Sequence, residues 1–326
     1  MGIIRAAPLA LSAFLASAAS TLSLQSSILS SLNVDDDPWF QSYCGVWQTK
    51  FGCDLPVRSA WSSQSTWNSP QVLADKARVW QGHSDNFSLS RLTAVSSVHS
   101  GDWLHALPIS SCGLRLSNEA IRIAVGLRLG LDLCLPHVCP CGGLTDAKGV
   151  HALSCRRSAG RLARHHAVND IVHRALVRAQ IPSSKEPSGL VRSDGKRPDG
   201  VTLIPWSQGK CLTWDVTIVN PMASSYVNST ALVPGGTAEL AAERKMSKYS
   251  TLADRYIFQP LAFEAVGSLN SSALSFFIDL GRRLEETSGD CREREFLFQR
   301  LSVAIQRFNE VALHGSFVVE PFEDDC

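Results

Sequence analysis

Long apolar runs are missing from this chain. No stretch reaches the roughly 18–20 residues of a membrane-spanning helix, so no such span and no membrane partner is expected. A surplus of one charge is missing too. Lys and Arg number 31 against 30 Asp and Glu, a net charge of +1, so any nucleic-acid footprint must be local. Charged residues make up only 19% of the chain and apolar ones 44%. That balance excludes global disorder and lets 326 residues form two modest domains, or one with a long extension. No polymerase signature is present, and residues 38–112 hold no catalytic motif. They do carry six of the eight tryptophans, read as core aromatics in preference to a base-stacking platform.

Cysteine is plentiful, and its placement is informative. Ten cysteines would suit a disulfide-stapled secreted protein, but Cys134, Cys139, Cys141 and Cys155 cluster with His137 and His151 while the rest are scattered. Cys139-x-Cys141 and His151-x3-Cys155 bracket a glycine-containing loop. Thiolates and an imidazole on two short clips suit a tetrahedral structural Zn²⁺, with Cys134 and His137 as spare candidates for the quartet. Residues 1–20 join a basic residue, an apolar run and small residues, as a signal peptide does, and sequons at Asn86, Asn228 and Asn270 fit secretion. The alternative is a helix in a reading frame that starts upstream, and the rest of the chain favours that.

Helical spacing runs through 1–33, breaks at the acidic Asp35–Pro38 turn, and returns at 117–131 behind an N-cap Ser or Asn. The helix 158–180 carries an apolar stripe of Val168, Ile171, Val172, Ala175, Leu176 and Ala179, with Arg157, Arg161 and Arg164 on another side. Between Arg156 and Arg178 six arginines face the single Asp170, which supplies the local basic footprint; the bland reading is a solvated face. His165 and His166 point in different directions on this helix and are assigned to a DNA contact. Further on, 256–268 reads as a buried strand. Two closing helices follow, and the terminal Glu323–Cys326 reads as an acidic tail.

The most informative stretch is 186–217. GVTLIPW and CLTWDVT flank Ser207-Gln208-Gly209, which predicts a β-hairpin. Asp215 lies inside an apolar strand, where a lone carboxylate is costly to bury unless something positive meets it. A divalent cation shared with Asp199 on the neighbouring strand would answer that. A three-residue loop pairs Val201 with Asp215 and Asp199 with Thr217, leaving both acids on one sheet face. A two-residue loop would put them on opposite faces, and Pro205 is a site for a bulge.

Arg197-Pro198-Asp199 followed by Asp215-Val216-Thr217 resembles the PD-(D/E)xK nuclease core, specifically the restriction-like endonuclease at the C-terminus of some non-LTR retrotransposon polyproteins. The Cys/His cluster resembles the knuckle that precedes the nuclease in that family. The resemblance spans about 115–315. It implies an α/β fold with a small mixed sheet flanked by helices, a zinc knuckle and a helical N-terminal extension. The organisation would be extension or linker over 1–115, helix plus knuckle over 116–157, and nuclease over 158–326. Asp199 and Asp215 would hold catalytic Mg²⁺. Thr217 stands where the family usually has its lysine, so Lys245 or Lys248 takes that role, with Glu186, or Asp194 as its competitor, as an additional acid. Arg197, Arg161 and Arg164 would position DNA, the element's RNA is a second partner, and the location would be nuclear, or secreted if residues 1–20 are a signal peptide. The alternative functions are a non-catalytic nucleic-acid-binding remnant and a secreted cysteine-rich protein.

Overall fold

Tryptophan organises the first part of the chain. The computed structural model describes residues 6–28, 37–191, 195–230 and 233–317 and separates two units, Met1–Ser84 and Asp85–Cys326. In the first unit, α1 (Ala6–Ser20), α3 (Pro38–Phe51) and α4 (Gln64–Gln81) close over Trp47 and Trp67, while α2 (Leu22–Ile28) adds no buried residue. The two indoles meet edge to face at 5.3 Å, and each N–H is satisfied: Trp47 donates to Trp67 O (3.0 Å) and Trp67 to Trp61 O (2.7 Å). A buried aromatic with a polar handle needs such an acceptor. Trp47 and Trp67 are core, as expected, whereas Trp39 is 71% exposed. Among the described residues no single helix is long and apolar enough to cross a membrane; α1 and α2 pass that test only together, bent by 54°.

The second unit begins earlier than the 115/116 boundary expected from sequence. The helix α5 (Asn86–Val95) already belongs to it: Ala94 and Val95 pack with Ile123, Met222 and Leu313, and Ser90 Oγ donates to Pro221 O at 2.9 Å. Nor is there a break at 157. The helix α6 (Asn118–Leu129), capped by the Ser117 side chain on Ala120 N–H, leads through the short β1 (His137–Val138) and β2 (Leu144–Thr145) to α7 (Val150–Ser154) and α8 (Ala159–Arg178).

Alternation then decides the layering. A four-stranded mixed sheet is ordered β3 (Ser183–Lys185), β4 (Gly200–Thr202), β5 (Cys211–Val219), β6 (Tyr256–Glu264), with only the β5–β6 pair parallel. Leu212, Trp214 and Val216 of β5 and Leu261 and Phe263 of β6 point to one face. There they meet α8, α11 (Ser271–Ser288) and α12 (Glu293–His314) in the largest core. The opposite face takes α10 (Gly236–Lys248), which follows the short α9 (Val227–Thr230). Ala238, Ala241 and Ala242 let α10 lie close against Ala262 and Val219. Its first turn has no side-chain cap of its own; the buried Glu264, at the end of β6, accepts from Thr237 N–H at 3.1 Å instead. Burial pushes the Glu264 carboxyl up, against the hydrogen bonds from Ser268 and the α10 amides.

The hairpin register differs from the sequence reading by two residues. Gly200 pairs with Trp214 and Val201 with Thr213, so Asp199 falls beside Asp215. The turn itself is the two-residue kind: Ser207 bridges Lys210, and Gln208 and Gly209 both have positive φ (51° and 73°), as a tight primed turn requires. Alone it would have split the acids between faces. The arm through Pro205 carries three more residues than its partner arm between the bridge and the ladder, and that odd excess restores the shared face. The terminal 323–326 and Asp194 lie outside the described residues.

Helix α8 packs along α12 with unusual closeness at Gly160, where an added Cβ would stand 2.4 Å from Ala312 N. Helix propensity alone favours Gly160→Ala by about 1 kcal/mol. Overpacking against rigid backbone costs about 1–3 kcal/mol or more and should win. Urea unfolding of the variant is expected to show a net loss of stability.

Candidate functional site

Two arrangements stand out in the second unit. The first is the thiol cluster. Sγ of Cys139, Cys141 and Cys155 and a ring nitrogen of His151 all lie within 4.8 Å of one another. Cys139 Sγ and Cys155 Sγ are 3.8 Å apart and Cys141 Sγ is 3.1 Å from His151 Nε2. Four ligands at about 2.3 Å around a tetrahedral zinc give sulfur–sulfur edges of about 3.8 Å, so the donor set and its spacing fit such an ion. The loop folds this way because Cys139 N–H donates to Gly143 O and Gly142 N–H to Cys139 O (2.9 and 2.7 Å), while Gly143 N–H donates to Cys141 Sγ (3.3 Å). That last bond, the largest cause, lowers the Cys141 thiol to about 6; burial pushes Cys139 up to about 11.

The spare candidates fall elsewhere. Cys134 Sγ donates to Asp146 O (3.4 Å). His137 is held by Leu135 O and Ser316 Oγ, both at 2.9 Å, and stacks on Phe317. Every described cysteine is a free thiol.

The second arrangement is the acid pair at the point where β4 stops and β5 runs on. Asp199 N–H donates to Trp214 O (2.9 Å), and Asp199 Oδ2 accepts from Val216 N–H (2.6 Å), taking the place of a strand partner. Gly200 is required here. A Cβ would stand 2.0 Å from the Trp214 ring, so only glycine lets β4 lie flat on the buried indole. Asp215 is buried, and its Oδ1 receives Lys245 Nζ at 2.5 Å. Lys245 comes from α10, one turn beyond Ala241 on the same helical stripe, so the alanines that admit the helix also aim the lysine. The positive group that meets the buried Asp215 is thus an ammonium.

Helix α8 supplies a contact that sequence reasoning assigned elsewhere. His165 Nε2 lies 3.0 Å from Asp199 Oδ2, and Asn169, one turn on, donates to Asp199 O (3.3 Å) while accepting from Trp214 Nε1 (2.7 Å). Burial would lower the His165 pKa; the hydrogen bond to Asp199 and the charges of Asp199 and Asp215 outweigh it and raise it. The signal was available in the spacing: His165, Asn169 and Val172 follow one another at helical intervals, leading from the polar end into the core stripe. His166 turns away, edge-on to its neighbour.

A cleft of about 370 Å³ opens beside the pair, lined by Arg156, Ser158, Arg161, Leu162, His165, Val216–Ile218 and Lys245. Thr217 is therefore at the cleft, as is Arg161.

Other expected site residues are placed differently. Arg164 is fully buried, donating to Asn309 Oδ1 and to Leu153 O (2.9 Å), so it cannot meet a DNA phosphate; burial lowers its pKa to about 10. The Glu186 carboxylate is half exposed and pairs with the Arg197 guanidinium, while the Glu186 backbone N–H donates to Asp199 O at 2.9 Å. Lys248 donates to the Tyr249 hydroxyl and lies over its ring. Tyr249 donates to Arg197 O at 2.9 Å, tying α10 to the Pro198–Asp199 approach.

No protein-family model and no curated protein matches this chain.

Two outcomes check this geometry. Purified protein should carry about one tightly held zinc, lost in Cys139→Ser and His151→Ala but kept in Cys134→Ser and His137→Ala, as metal analysis would read. Arg164→Ala should leave Asn309 Oδ1 and Leu153 O without their donor and lower stability by about 1–3 kcal/mol per unsatisfied group, as urea unfolding would read.

Proposed function

We propose that the second unit is a divalent-metal-dependent DNA endonuclease of the restriction-like type that the sequence resembles, built next to a structural zinc knuckle. One observation carries the reading. Asp199 and Asp215, from adjacent strands, sit together with Lys245 at the open edge of β5, and their partners His165 and Lys245 line a cleft bordered by Arg156 and Arg161. Burial of Asp215 is already answered by Lys245, so burial alone does not call for a cation. The pairing of two carboxylates does, because like charges so placed favour a hard divalent ion with oxygen ligands.

Asp199 and Asp215 would hold Mg²⁺, which when bound polarises the scissile phosphate and lowers the pKa of a water nucleophile. Lys245 orients Asp215 and presents positive charge where the phosphoryl oxygens gain it. Its helical origin supports its assignment to the role left vacant by Thr217. Arg156 and Arg161 contact phosphates and carry no base information. The four clip residues hold zinc, which fixes the loop that enters α8. DNA is the partner this cleft suits, and a retrotransposon origin follows from the resemblance alone.

Nicking of supercoiled plasmid tests the roles. Asp215→Asn exchanges a carboxylate for an amide, a much poorer ligand for Mg²⁺; nicking should collapse while DNA affinity holds. Arg156→Ala with Arg161→Ala should do the reverse. Binding weakens, nicking recovers at high protein concentration, and the log–log salt slope falls by up to about 0.9 per lost phosphate contact. Salt-sensitive binding without nicking in Mg²⁺ or Mn²⁺ would leave the non-catalytic remnant as the answer.

A further inference from the structure

Asp199 shows an asymmetry that its strand neighbours do not explain. One oxygen, Oδ2, is contacted by two donors, the Val216 N–H at 2.6 Å and His165 Nε2 at 3.0 Å. The His165 ring is mostly enclosed, and its other nitrogen, Nδ1, is buried with no hydrogen-bond partner. An unsatisfied buried nitrogen costs stability, and an apolar side chain of similar shape would avoid it. A histidine kept only to fill space is therefore a poor choice here. What it adds is the donor at Nε2.

We propose that His165 is the positioning residue of the acid pair: with the Val216 amide it commits Asp199 Oδ2 to protein donors and leaves Oδ1 as the oxygen offered to a divalent cation. The inference rests on the reading of Asp199 and Asp215 as an ion site. It assigns His165 no contact with the reacting atoms. Its effect passes through the carboxylate, in the way that hydrogen-bonded partners of ligating groups fix ligand orientation and strengthen metal binding. Asn169 completes the arrangement by holding the backbone carbonyl of Asp199 on the same helix face. Helix α8 thus holds Asp199 at one carboxylate oxygen and at its backbone carbonyl, and the helix that borders the cleft also sets the ligand.

The test is Mn²⁺ binding by the full-length, zinc-loaded protein, read by electron paramagnetic resonance of the free ion without any nuclease assay. His165→Leu keeps bulk and removes the donor; His165→Gln returns a donor near the Nε2 position. Leu should weaken Mn²⁺ binding about 10–100-fold, Gln should recover most of it, and zinc content should be the same in both, with a cooperative thermal melt showing that each variant folds. Asp199→Asn serves as the site control. Equal Mn²⁺ affinity in wild type and His165→Leu, with Asp199→Asn impaired, overturns the role of His165 and leaves the ion site standing. Equal weakening by Leu and Gln makes His165 a shape requirement and overturns it as well. Wild-type protein that binds no Mn²⁺ removes the ion site, and this inference with it.

Discussion

The site depends on how one indole is seated. Trp214 is fully buried, lies against Gly200 where no side chain is tolerated, and donates its N–H to Asn169. Those contacts fix β4 against β5 and α8 against both. Asp199 immediately precedes Gly200 and Asp215 immediately follows Trp214, so the acids inherit their positions from the tryptophan and its glycine partner. A packed aromatic with a satisfied polar end is rigid as well as apolar, and that rigidity passes to the two acids.

Arg164 joins this arrangement to the thiol cluster. Its guanidinium reaches Leu153 O in α7 and Asn309 in α12, and Asn309 in turn donates to Ala265 O just beyond β6. Cys155 and His151 flank that contact. The clip, the first turns of α8 and the far end of the sheet therefore share one buried polar network. Such networks are stable only when their members are nearly all satisfied, so disturbance of the clip should be felt through α8.

Much of this was legible in the sequence. The zinc-type quartet follows from thiol and imidazole spacing, because short clips leave few geometries open. The helices 118–129, 159–178, 271–288 and 293–314 and the strand 256–264 follow from periodicity and caps. The hairpin register did not: it depends on how many residues the Pro205 arm absorbs, and a bulge has no fixed sequence signature. Arg164 looked like part of a basic face because periodicity places a residue on a helix side without revealing what packs there. Long side chains at intermediate angles are decided by tertiary neighbours, here Asn309. Glu186 and Arg197 satisfy one another across a loop, a pairing that spacing does not show. His165 was legible as a position on α8, but its partner lies a loop and a strand away.

Where β5 continues past the end of β4, its outer side has no strand partner among the described residues. Bare strand edges invite pairing between molecules and, through it, aggregation. Here the edge is defended without a covering strand. Asp199 takes the Val216 N–H, and Arg156 and Arg161 border the remainder with like charge, so a second copy approaching edge to edge meets its own repulsion. The charges that border the groove are by the same means a barrier to another strand.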